Sequence, residues 1–212
     1  MSFGTYARKV RDPSRSYGQR INALAGCVER YQPIGYHATF GYLEQVAGHF
    51  RREEAALLRA IDALSSSRDL WLSELGTYAK QRKAAKRLGR RNPQAHDLNL
   101  NSAACWYGDS RKAALFALGF LLRQAERGRP GRAHTTDAEV LRLSSTCVER
   151  RGCLSRTELE QVRSLQTRFQ HLRQVAGWPD IDWPNWHKAH DSLWALHLIA
   201  SACAPQTVDV LS

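Results

Sequence analysis

Isoleucine and valine are scarce in this chain, 14 residues together against 52 leucines and alanines. That imbalance disfavours a sheet core of β-branched residues and favours helix. No apolar run approaches the roughly 18 residues a membrane span needs. The opening stretch MSFGTYARKVRDPSR lacks the apolar core of a signal peptide. The cysteines (Cys27, Cys105, Cys147, Cys153 and Cys203) are odd in number and form no C-x-x-C pair. Buried thiols in a reducing cytoplasm are the expectation, and Cys147 and Cys153 match no common zinc spacing. The phosphate-cradling glycine loop, G-x-S-x-G, H-E-x-x-H and the carboxylate clusters of two-metal nucleases are missing as well. The chain therefore reads as non-enzymatic, with no cofactor and no metal.

Lysine is sparse too, 6 residues against 25 arginines, a bias typical of a GC-rich bacterial or phage source. What the chain does have is charge in one place. The formal net charge is +11 over 212 residues, and the segment 80–91 alone holds Lys80, Arg82, Lys83, Lys86, Arg87, Arg90 and Arg91 with no acidic residue among them. On a helix of 3.6 residues per turn these fall within roughly half the circumference, with Ala84, Ala85 and Leu88 opposite as a thin apolar packing edge. Like charges three and four apart repel by a few tenths of a kcal/mol each. A phosphate backbone relieves that repulsion and releases counterions, and arginine suits phosphate geometry. Arg129 and Arg132, in the turn GRPGR, offer a second contact strip. The N-terminal arm, with Arg8, Lys9, Arg11, Arg15 and Arg20 against Asp12, offers a third.

Periodicity predicts an all-α fold. Ile21, Leu24, Val28 and Tyr31 recur at helical intervals before Pro33. A second stretch, from about Thr39 to Leu64, carries Gly41 and Gly48 and is expected as one helix or two pieces. Ser66 and Ser67 are expected to cap a third helix running through Leu70, Trp71, Leu75 and Tyr78 into the basic run. Residues 89–101 read as the longest loop. A very apolar helix should begin at Asp109 or Ser110, another at Thr136, and Ser155 with Glu158 spells a capping box before LEQVRSLQTRFQHLRQV. A last helix is expected from near Pro184 to before Pro205. The result is a bundle of six to eight helices, as one domain over 1–212 or as two helical halves joined at 89–101.

Three weaker signals stand beside these. CVER and LEQV each occur twice in the same order, at 27–30 and 147–150 and at 43–46 and 159–162, which fits either a decayed duplication or ordinary helix composition. The stretch LSRTELEQVRSLQTRFQHLRQV loosely resembles a helix-turn-helix with Arg168 and Arg173 on its reader. Its RSL turn has no glycine, and one uninterrupted helix over 155–176 fits better. In WPDIDWPNWHKAHDSLWALHLIASAC, His187 with His190 or Asp191 has helical spacing for a metal, but His197 lies about 10 Å further along the axis. The better account is a buried helix with histidines at its edge. The chain is thus expected to be a cytoplasmic protein that binds DNA or RNA mainly by phosphate contact, as a regulator or a subunit of a nucleoprotein complex with other protein subunits and no membrane. The alternative is a helical adaptor or inhibitor whose basic helix docks on an acidic protein surface.

Overall fold

The computed structural model describes residues 1–90, 106–127, 135–175 and 192–199. Among them are eight helices and no strand, the all-α architecture expected from the composition. They are α1 (Phe3–Arg11), α2 (Tyr17–Arg30), α3 (Tyr36–Ala47), α4 (Glu54–Arg87), α5 (Ser110–Arg127), α6 (Thr135–Glu149), α7 (Arg156–Val175) and α8 (192–199). The chain divides into two compact units, Met1–Ser110 and Arg111–Ser212.

In the first unit, α1 begins where the Ser2 hydroxyl accepts from the Thr5 amide, and Phe3, Ala7 and Val10 bury one stripe. Its partner α2 opens on a full capping box, Ser16 with Gln19. The two helices approach closely at Gly26, where an added Cβ would lie 2.6 Å from the Tyr6 ring. The core is completed by Leu24, Val28, Leu43, Leu57, Ile61 and Leu64, all fully buried.

Two arginines serve this core as caps for neighbouring helices. Arg20, 4% exposed, donates from Nε to the Val10 carbonyl at 2.7 Å and from Nη1 to Glu54 at 2.6 Å. It thereby satisfies an end carbonyl of α1 that has no partner inside the helix. Arg59 forks onto the Ala47 carbonyl at 3.1 and 2.8 Å and closes α3 in the same way.

Around α4 the sequence expectations meet two outcomes. The stretch from Thr39 to Leu64, expected as one helix or two pieces, is two helices, broken at Gly48, the C-cap of α3; the expected cap at Ser66 and Ser67 is corrected. No new helix starts at Ser66 or Ser67, because α4 runs unbroken for 34 residues, about 51 Å, from Glu54 to Arg87. Ser67 is no cap but a buried mid-helix hydroxyl, 1% exposed and bonded to Tyr31. Continuous Leu/Ala/Arg propensity through SSS outweighs the local capping tendency of serine.

The second unit is built on Ala114 and Leu118 of α5, Val140, Leu143 and Cys147 of α6, Val162 and Leu165 of α7, and Leu193, Leu196 and Ile199 of α8. The capping box at α7 is formed as expected: the Ser155 amide donates to Glu158 at 2.7 Å and the Glu158 amide to the Ser155 hydroxyl. Hydrogen bonding from the Ser155 amide, and then from its side chain, holds the Glu158 carboxyl below the usual carboxylate range. α7 passes straight through RSL, so the helix-turn-helix alternative falls, and Arg168 pairs with Glu139 at 3.6 Å. The expected turn at 128–132 and the segment 176–191, with His187, His190 and Asp191, lie outside the described residues.

Candidate nucleic-acid interface

α4 is two things in one helix. Its first half is core: Ala56, Leu57, Ala60, Ile61, Leu64 and Ser67 are its buried residues. Beyond Ser67 some 20 residues continue for about 30 Å. There every residue is exposed or only half-buried, and the half-buried ones, Arg68, Trp71, Leu75, Tyr78, Arg82 and Ala85, form one line at alternating spacings of three and four. This second half is an arm.

The base of the arm is fixed. The Ser67 and Tyr31 hydroxyls meet at 2.9 Å, and Ser67 Oγ accepts from the Tyr107 amide at 2.9 Å. The Trp71 ring stacks on Tyr31 with centroids 5.5 Å apart and planes inclined by 22°. Trp106, 6% exposed, packs edge-on against Tyr42 at 4.8 Å. Burial pushes the Tyr42 hydroxyl up to about 12.

The tip ends in a defined stop. Gly89, at φ 80°, adopts the left-handed conformation that glycine takes without a Cβ penalty. The Gly89 amide donates to the Lys86 carbonyl at 3.1 Å and the Arg90 amide to the Ala85 carbonyl at 3.0 Å. That is the Schellman pattern of helix closure, and it fixes the backbone of Arg90 against the last turn.

Between base and tip lie the candidate cations. Lys80, Lys83, Lys86, Arg87 and Arg90 are exposed, and Arg82 is half-buried on the line described above. Arg91, Arg129 and Arg132 lie outside the described residues. None of the five exposed cations takes part in an ion pair among the described residues. The expected apolar packing edge is corrected: Leu88 is 77% exposed and Ala84 is exposed.

The N-terminal arginines behave differently. Arg11 pairs with Asp62 at 2.7 Å, Arg15 with Asp12 at 3.1 Å, and Arg20 with Glu54 at 2.6 Å. The expected N-terminal contact strip is therefore a docked helix whose guanidinium groups neutralise carboxylates of their own unit. Only Arg8 and Lys9 of that group stand outside these pairs, with Lys9 5.5 Å from the Tyr6 ring centre. Residues 1–76 hold ten basic and eight acidic side chains; residues 77–91 hold seven and none. Residues 1–76 are nearly balanced, and the outer part of the arm, from residue 77, is wholly cationic.

No group of three or more His, Cys, Asp or Glu side chains among the described residues is arranged to hold a metal ion. His197 is half-buried beside Trp194, and burial followed by the Arg163 charge lowers its pKa. No described helix is long and apolar enough to cross a membrane. Sequence reading missed the anchoring residues Tyr31, Ser67 and Trp71. The signal was available, since 57, 61, 64, 68, 71, 75, 78, 82 and 85 continue one four-three spacing through the whole of α4. Comparison with known protein families, with curated proteins and with solved structures finds no match for this chain.

Proposed function

We propose that this protein binds nucleic acid, without catalysing a reaction, by setting the arm of α4 against phosphates. One observation carries the reading. Five of the ten cations in residues 1–76, Arg11, Arg15, Arg20, Arg30 and Arg68, pair with carboxylates at 2.6–4.0 Å, while the arm presents Lys80, Lys83, Lys86, Arg87 and Arg90 to solvent with no acidic residue in residues 77–91. Helix-end electrostatics account for part of this: Lys86 and Arg87, in the last turn of α4, gain about 0.3–1 kcal/mol each from the helix dipole. Lys80 and Lys83 lie outside that turn and gain little. A polyanion supplies what the fold does not.

The reading places the protein in a reducing cytoplasm, as a regulator or a subunit of a nucleoprotein complex; the buried, unbridged Cys27 and Cys147 fit such a compartment. The test is a salt-titrated binding assay of the full chain with duplex DNA, single-stranded DNA and RNA. A steep fall of affinity with salt is expected, near 0.9 in the logarithmic slope for each duplex phosphate neutralised. Absence of binding to all three at low salt refutes the reading and favours an acidic protein surface as the arm's partner.

A further inference from the structure

The geometry points to a particular form of nucleic acid: we propose that the arm of α4 lies in the major groove of duplex DNA, an inference that rests on the phosphate-binding reading above. Four exposed cations sit on the helical part of the arm, Lys80, Lys83, Lys86 and Arg87. At 3.6 residues per turn they cover an arc of roughly 120°, which at the side-chain radius of a helix is about 10 Å across, and wider with the stems extended. A helix resting on a single line of phosphates uses a narrow stripe. An arc of this width reaches towards both lips of a groove.

Groove dimensions then decide between nucleic acids. The B-DNA major groove, about 12 Å wide, admits an α-helix, and the minor groove, about 6 Å, does not. The major groove of A-form RNA is deep and narrow. Single strands are held by exposed aromatic side chains on which bases stack. Among the described residues the exposed large hydrophobic side chains are Met1, Val46, Leu70, Leu72 and Leu88, with no Phe, Tyr or Trp. The last aromatic on the arm, Tyr78, is half-buried and precedes the first cation. Lys80 lies 13 residues beyond Ser67, the last buried residue of α4, or about 20 Å, against a groove depth of about 8.5 Å. Ala84 and Ala85 keep the turn between the cations slim.

The experiment uses the full chain and fluorescence anisotropy at one fixed salt concentration. The probes are a DNA duplex of about 20 base pairs, the RNA duplex and the DNA single strand of the same sequence, and two blocked DNA duplexes. One block is glucosylated hydroxymethylcytosine, which fills the major groove; the other is saturating netropsin, which fills the minor groove. Binding to plain duplex DNA is expected to be about tenfold or more tighter than to the RNA duplex or the single strand. Glucosylation should weaken it by a similar factor, and netropsin should change it less than about twofold. Equal affinity for the RNA duplex or the single strand, or indifference to glucosylation, overturns the groove assignment and leaves phosphate binding standing. No affinity for any probe overturns both.

Discussion

Changing Lys83, Arg87 and Arg90 together to glutamine removes three of the five exposed cations of the arm and leaves its backbone alone. The folding effect can be worked from the helix positions. Lys83 faces Lys80 and Lys86 three residues away and Arg87 four residues away. Relieving those like-charge pairs returns about 0.2–0.5 kcal/mol each. Against this, loss of Arg87 from the last turn forfeits about 0.3–1 kcal/mol of helix-dipole stabilisation, and glutamine matches lysine and arginine closely in helix propensity. The two effects nearly cancel, so the melting temperature should hold within a degree or two.

Binding should not hold. Each cation withdrawn from a duplex phosphate flattens the slope of log affinity against log salt by about 0.9, so the three substitutions together remove up to about 2.7. For affinities that converge at 1 M salt, that corresponds near 0.1 M to binding weaker by up to about 500-fold. Sequence preference should survive, because backbone contacts carry none directly. A normally folded triple variant with the parent slope and affinity would refute the placement of the interface on the arm.

The remaining predictions concern the frame that holds the arm. Gly26→Ala should lower stability by about 1–2 kcal/mol in denaturant titration: helix propensity returns roughly 1 kcal/mol, but the new Cβ meets the Tyr6 ring at 2.6 Å and overpacking outweighs the gain. Arg20→Met should cost about 1–3 kcal/mol, since the Val10 carbonyl loses its donor inside the core while the half-exposed Glu54 can turn to water. His197 has a folded pKa below its ordinary 6.5 because burial disfavours the imidazolium. Its neutral form therefore supports the fold above pH 6.5, and that support declines as pH falls through 6.5 towards the folded value. His197→Gln should flatten this part of the stability–pH curve, and an unchanged curve refutes the assignment.

Much of the fold was legible because apolar spacing and caps are local. The Ser155–Glu158 capping box, the start of α5 at Ser110 and the break at Gly48 all follow from residues within one turn of the event. α1 was missed although Ser2, Phe3, Ala7 and Val10 spell it, because the charges of ARKVR suggested a free arm. Arg11 of α1 proved to be answered by Asp62 and Arg20 of α2 by Glu54, 51 and 34 residues away in sequence, pairings that no local pattern encodes. Ser67 misled for a related reason. Serine at a cap and serine inside a helix look alike in sequence, and only Tyr31 and Tyr107, brought to it by the fold, distinguish them. The basic run was legible as an exposed charged face; the exposure of its opposite edge was not, since Leu88 and Ala84 could equally have faced a core.

The arm also passes over an easy route to greater stability, and that omission can be tested. Lys83 is the hub of its repulsion, within three or four residues of Lys80, Lys86 and Arg87. Lys83→Glu turns all three repulsive pairs into attractive ones, with the acid N-terminal to its partner in the Lys86 and Arg87 pairs, the better orientation. Counting about 0.2–0.5 kcal/mol for each repulsion removed and for each attraction added, the helix should be more stable by about 1–3 kcal/mol. Hydrogen exchange at the amides of residues 80–88 reads that gain directly as slower local opening. The same substitution puts a carboxylate in the middle of the cationic arc, so affinity for duplex DNA should fall further than with a glutamine at the same position, by like-charge repulsion of phosphate. A variant with slower exchange and abolished binding shows a helix kept less stable than it need be for the sake of its partner. If Lys83→Glu slows exchange and binds as tightly as the parent, the arm's charge serves no phosphate.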